Sequence, residues 1–230
     1  EHIKIISKKL LLIAPMDSFD FITPSVHSNN IEVVGDKKST FSLALIDYGT
    51  KKGIVDCLVA QGVKVSIIPA PLFLTLSREE ISSYDILFLS NGPGDPRTLM
   101  LHVKKIASVF NLIPIRGICL GHQLIALALG NSVEKLIYGH HGSNHPVLNE
   151  FDKKVFITSQ NHNYTVSKEN LIDTSMIWFT NLNDGSIEGI VDESHMVLST
   201  QFHPEGRGGS LDAISLFDTF LQKGGLSCQK

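Results

Sequence analysis

Gly117-Ile118-Cys119-Leu120-Gly121-His122-Gln123 sets a thiol between an apolar stretch and a second apolar stretch of helical spacing. A cysteine at such a strand-to-helix turn is presented at the carboxyl end of a sheet, where α/β folds place ligands. Flanking glycines suit a turn too sharp for Cβ atoms. The helix that follows points its free N–H groups and positive dipole end at the sulfur, which favours the reactive thiolate. The same N–H groups could hold a developing oxyanion. The competing reading is a buried structural cysteine, the usual fate of that residue. Cys57 and Cys228 lack this setting and read as structural.

Two further segments bear on that choice. Gln201-Phe202-His203-Pro204-Glu205 closes an apolar run. Residues two apart on a strand face the same way, so Glu205 could orient the His203 ring and leave its other nitrogen to take a thiol proton. His-x-Glu alone is a weak signal and gains weight only beside a placed cysteine. Ser90-Asn91-Gly92-Pro93-Gly94-Asp95-Pro96 is a stiff, bare-backbone loop after a strand. It could offer N–H groups to a ligand oxygen, or be a plain strand-to-helix turn. No Gly-Lys-Ser/Thr follows, which argues against a phosphate loop.

The elements that must position these residues follow from periodicity. Apolar runs at 43–46, 63–69, 85–90 and 113–118 alternate with helical patterns at 54–62, 98–110 and 120–129. Fully covered strands show such continuous runs, and the alternation predicts a doubly wound, mostly parallel sheet of an α/β fold. Beyond Gly130, short strand-like segments at 133–138, 155–159, 176–180, 187–191 and 196–202 predict antiparallel additions. Leu211, Ile214, Leu216, Phe217, Phe220 and Leu221 predict a final amphipathic helix over 210–222. Residues 1–40 read as an irregular lead-in or the remnant of an N-terminal region, 41–224 as the domain, and 225–230 as a tail. Lys8 to Ala14 is too short, with Pro15 and Asp17 following, to read as a secretory signal. The first residue is Glu, so the chain is expected to start inside a longer product.

Composition narrows the class. The chain has 230 residues, 43% of them hydrophobic, enough for a real core and against disorder. No apolar run approaches the ~20 residues that span a bilayer. Twenty basic against 23 acidic residues leave no electrostatic footprint for nucleic acid. Three scattered cysteines exclude a disulfide framework and suit a reducing, cytoplasmic compartment.

Taken together, the Cys119 and His203-Pro204-Glu205 blocks resemble the triad type of class I glutamine amidotransferase. Within that type, four segments resemble the small, glutaminase subunits of carbamoyl-phosphate synthases. These are Asp47 to Lys51, Ser90 to Pro96, Gly139-His140-His141-Gly142-Ser143-Asn144-His145-Pro146 and Ser159-Gln160-Asn161-His162-Asn163-Tyr164-Thr165-Val166. The resemblance covers about residues 43–222 in order. It implies that Cys119 attacks the side-chain amide of glutamine, that His203 moves the protons and that Glu205 orients His203. It further implies an oxyanion site on the N–H groups of Gly92 and Leu120. Substrate contacts are implied at Gln123, Gly94, Asn161, Asn163 and Tyr164. The implied partner is the large carbamoyl-phosphate synthase subunit, which would bind ATP and Mg; no cofactor is expected in this chain. Other readings are another class I amidotransferase, a γ-glutamyl hydrolase, or a non-catalytic regulatory subunit that keeps the fold.

Two departures stand out. The family usually has Gly where this chain has Asn163, and Asn is expected to accept the positive φ of that turn while crowding the glutamine site. Residues 1–40 do not resemble the family's N-terminal domain, which contributes a serine to the site. The histidines His140, His141 and His145 show no spacing that converges all three, and no carboxylate adjoins them in sequence, so no metal is expected there.

Overall fold

The computed structural model describes residues 30–169, 171 and 176–222. Five strands form the parallel centre: β2 (Ser42–Asp47), β3 (Lys64–Pro69), β4 (Ile86–Leu89), β5 (Ile115–Ile118) and β10 (Val197–Thr200), side by side as β3-β2-β4-β5-β10. Their residues are apolar and buried almost throughout, as strands covered on both faces must be. Alternate residues feed two cores. Ala44, Ile46, Leu87 and Leu89 face one with α4 (Met100–Ser108) and α5 (Leu120–Ala128). Leu43, Leu45 and Phe88 face the other with α1 (Lys52–Ala60) and α6 (Leu216–Phe220). Two short helices, α2 (Ala70–Phe73) and α3 (Arg78–Ser82), lie between β3 and β4.

The expected irregular lead-in ends early. β1 (Glu32–Gly35) pairs antiparallel with β3 and forms the sheet's edge. Its Val33 and Val34 carry too short an alternation to stand out in a polar stretch, and the neighbouring β3 edge supplies its pairing. Residues 1–29 and the 225–230 tail lie outside the described residues.

The antiparallel part also differs in extent. β6 (Val133–Asn149) and β7 (Val155–Val166) form one long hairpin, well beyond the two short segments expected. Register shifts between Lys135 and His140 and between Gly142 and His145 interrupt it. These bulges break the two-residue alternation by which a strand is read from sequence. β8 (Met176–Asn181) and β9 (Ile187–Asp192) complete the sheet and join it through β9–β10. At the end of the chain the helix is shorter than 210–222. Leu211 and Ile214 are exposed and precede it in turns, while Leu216, Phe217 and Phe220 are buried. None of the described helices is long and apolar enough to cross a membrane.

Strand order reverses direction between β2 and β4: from β2 the chain steps outward to β3, then returns to the other side. Crevices open beyond the carboxyl ends of strands at such switch points. The loops after β2, β4 and β5 all end there.

Candidate active site

Cys119 sits one residue past β5 as the residue that opens α5, with φ 55° and ψ −103°. A side-chain-bearing residue in that region costs on the order of 1–3 kcal/mol and persists only where neighbours enforce it. The neighbours are visible. The Cys119 N–H donates to the Thr200 carbonyl at 2.8 Å, and the Cys119 carbonyl accepts the Gln123 N–H at 3.1 Å. A Cβ at Gly121 would lie 2.2 Å from the Leu89 carbonyl oxygen, so the helix start can approach β4 only without a side chain there. Gly121 N–H donates to the Ser90 carbonyl at 3.0 Å and ties the helix to the Ser90–Pro96 loop.

That loop is built to hold still. Ser90 Oγ accepts the Tyr48 N–H at 2.9 Å and donates to the Asn91 carbonyl at 2.8 Å. Asn91 Oδ1 accepts the Lys51 N–H and its Nδ2 donates to the Gly49 carbonyl. Gly92 presses on the β2–α1 loop; a Cβ there would lie 2.4 Å from the Tyr48 carbonyl oxygen and 2.7 Å from Leu120 Cδ2. Gly92 and Leu120 are thereby brought together. Gly94 takes φ 92°, and Asp95 grips Arg97 through paired contacts of 2.7–3.1 Å.

His203 and Glu205 arrive differently from the expectation of a common strand face. β10 ends at Thr200, Pro204 cannot donate to a ladder, and Gly206 turns the chain at φ 58°. His203 is fixed instead by an isolated bridge to Ser159, its N–H donating to the Ser159 carbonyl at 2.9 Å. Its Nδ1 lies 2.8 Å from Glu205 Oε1. Burial disfavours the charged ring, but hydrogen bonds and charge from Cys119 and Glu205 outweigh it and raise the ring to about 9. Burial likewise opposes the Glu205 carboxylate. His203, and then Lys51, overcome that and hold it below the usual carboxylate range. Lys51 Nζ lies 2.9 Å from the same Oε1.

A cleft of about 390 Å³ opens over this group. Cys119, His203, Gly92, Gly94, Gln123, Asn161, Asn163 and Tyr164 line it. Glu205 stands behind His203, and Leu120 meets Gly92 at the loop. The expected site residues therefore converge. Lys51, Asn91, Pro93, His141 and His162 also line the cleft, and sequence reasoning gave them no role. Lys51 belongs to the Asp47–Lys51 segment, but no spacing along the chain links it to Glu205. His122, the histidine of the cysteine motif, points away from the cleft. It is fully buried, with Nδ1 2.9 Å from Ser199 Oγ, and burial pushes its ring down to about 3. Gln123 spends its amide N–H groups on the Tyr164 carbonyl at 2.9 Å and Gln201 Oε1 at 3.0 Å, which leaves its oxygen as the acceptor to offer.

Asn163 corrects the expected turn. Its φ is not positive, so it occupies ordinary strand backbone within β7. The histidine-rich segment is corrected too. All three histidines lie on β6, and carboxylates do adjoin one of them: His140 Nε2 is 2.8 Å from Asp184 and its Nδ1 is 3.4 Å from Glu188. His140, His162 and Glu188 bring three possible metal-ligating atoms within 4.8 Å of one another. The cluster is largely satisfied internally. Glu188 accepts from Asn181 and Gln160, each at 2.9 Å, and the His162 ring contacts the Tyr164 carbonyl and Gln160 Oε1. Chain topology, not spacing, brings these carboxylates to His140.

The family profile for glutamine amidotransferase class-I matches residues 44–223. The chain belongs to that family. More particularly, it is similar to three curated small chains. One is the carbamoyl phosphate synthase arginine-specific small chain of Bacillus subtilis, 40% identical over 87% of this chain and 56% of that protein. The arginine-specific small chain of Saccharomyces cerevisiae is 43% identical over 80% and 46%. The carbamoyl phosphate synthase small chain of Methanococcus maripaludis is 37% identical over 94% and 60%. The chain thus spans about half the length of these relatives. Among solved structures, a GMP synthase protein of Thermoplasma acidophilum superposes with a TM-score of 0.66 at 23% identity, covering 79% of this chain and 92% of that one. A glutamine amidotransferase of Thermotoga maritima gives 0.57 at 19%, covering 73% and 77%. Both bear out the α/β fold class.

Proposed function

We propose that this domain is the glutaminase part of a carbamoyl-phosphate synthase, releasing ammonia from glutamine for an ATP-dependent large subunit. The observation that carries the reading is the alignment of Glu205, His203 and Cys119 on one cleft, with the cysteine held in a strained turn at a helix start. A buried structural cysteine needs none of this. The similarity to named small chains supports the choice of synthase.

Chemically, His203 takes the thiol proton of Cys119, and the helix start and imidazolium favour the resulting thiolate. The sulfur attacks the side-chain amide carbon of glutamine. Negative charge then gathers on the former carbonyl oxygen, which the N–H groups of Gly92 and Leu120 receive. The C–N bond breaks as His203 returns its proton to the leaving nitrogen, giving ammonia and a γ-glutamyl thioester. Water, deprotonated by His203, attacks the thioester and glutamate leaves. Gly94, Gln123, Asn161, Asn163 and Tyr164 line the space for the α-amino and α-carboxylate groups. ATP and Mg belong to the partner, and a tight cytoplasmic complex prevents loss of ammonia to protonation in water.

The test is Cys119→Ala in the complex with the large subunit. Glutamine-dependent synthesis is expected to vanish while ammonia-dependent synthesis continues. Loss of both would overturn this division of labour.

A further inference from the structure

The wall of the cleft carries a three-residue bridge that the proposed chemistry does not use. His141 Nδ1 lies 2.9 Å from Asn161 Oδ1, and His141 Nε2 lies 3.1 Å from Asn163 Oδ1. Asn161 and Asn163 are two apart on β7 and share a face, and His141 is the cross-strand partner of Asn161. All three residues line the cleft. The bulge between Lys135 and His140 brings Gly139 against them. A Cβ at Gly139 would lie 2.3 Å from Asn163 Oδ1 and 2.4 Å from His141 Nε2. The bare backbone there is the condition for the bridge to form.

We infer that His141 is a positioning residue, a latch that holds the Asn163 amide against β6 and keeps it out of the space glutamine occupies. The inference rests on the glutaminase reading for the identity of the ligand. The Asn163 side chain is long enough to reach into the cleft from its wall, and an amide without partners would turn towards the polar groups there. His141 supplies a partner on the opposite side. The clearance of the glutamine site is then set by a cross-strand contact rather than by the absence of a side chain at residue 163.

The experiment is a double-mutant cycle on the complex with the large subunit, following glutamate release from glutamine. His141→Ala is expected to raise KM for glutamine about tenfold with kcat within about twofold, a tenfold change in affinity corresponding to about 1.4 kcal/mol. In the Asn163→Gly background the same substitution is expected to change KM by less than about twofold, because no amide remains to be released. Gly139→Ala, which breaks the bridge by collision, is expected to reproduce the rise. An equal KM penalty in both backgrounds would mean that His141 touches substrate directly, and would overturn the latch. So would an unchanged KM in His141→Ala. A crystal structure of His141→Ala decides the point independently of turnover: an Asn163 amide rotated into the cleft supports the latch, and an unmoved one contradicts it. Absence of glutamate release by the unmutated complex would sink the glutaminase reading, with that side-chain position still deciding the latch.

Discussion

The proton between Cys119 and His203 is the smallest unit on which the proposed chemistry depends. His203 is raised to about 9 against the opposing effect of burial, so the ring is protonated across neutral pH beside the sulfur. A deprotonated ring has no proton for the leaving ammonia. The glutaminase rate is therefore expected to fall as pH rises through about 9. Glu205→Gln removes the charge that supports the imidazolium. It is expected to shift that alkaline limb to lower pH and to cut kcat by about 10²–10⁴-fold, with KM little changed. A pH–rate profile of the two proteins checks both; an unmoved limb would remove Glu205 from this role. The sign for stability is the same. A ring raised above its unfolded value of about 6.5 adds stability that is fully present below that value and is lost as pH rises through about 9. At this scale the sequence was most legible, because Cys119, His203 and Glu205 each sit in a short motif with local geometric meaning. Lys51 was not legible as the second partner of Glu205. That pairing depends on how α1 docks, and a sequence shows no such distance.

At the scale of elements, the site is a product of two close approaches. α5 starts against β4 at Gly121, and the Ser90–Pro96 loop lies on the β2–α1 loop at Gly92. Gly121→Ala is expected to cost about 3 kcal/mol, since its Cβ would meet a backbone oxygen that cannot step aside. Urea unfolding measures this; a loss under about 0.5 kcal/mol would show that the turn has slack. The parallel strands were legible because burial on both faces makes them continuous apolar runs. The β6–β7 hairpin was legible only as fragments. Its polar residues, His140, His141, Asn161 and Asn163 among them, belong to strands because the two bulges and the neighbouring β8 and β9 satisfy their backbone and side chains. Asn163 shows the same limit: the expectation of a positive φ came from the residue type usual at that position, whereas the ladder with β6 sets its backbone here.

For the whole molecule, the fold brings loops from β2, β4, β5 and β10 and the wall of β7 to one crevice at the strand-order switch. A single reactive thiol in that crevice is the central claim. It is tested most directly by quenching the complex during turnover of glutamine and mapping the peptides by mass spectrometry. The account predicts a γ-glutamyl adduct on Cys119, absent from Cys57 and Cys228 and lost in Cys119→Ser. Steady release of glutamate with no adduct on Cys119, or with an adduct on another residue, would contradict it.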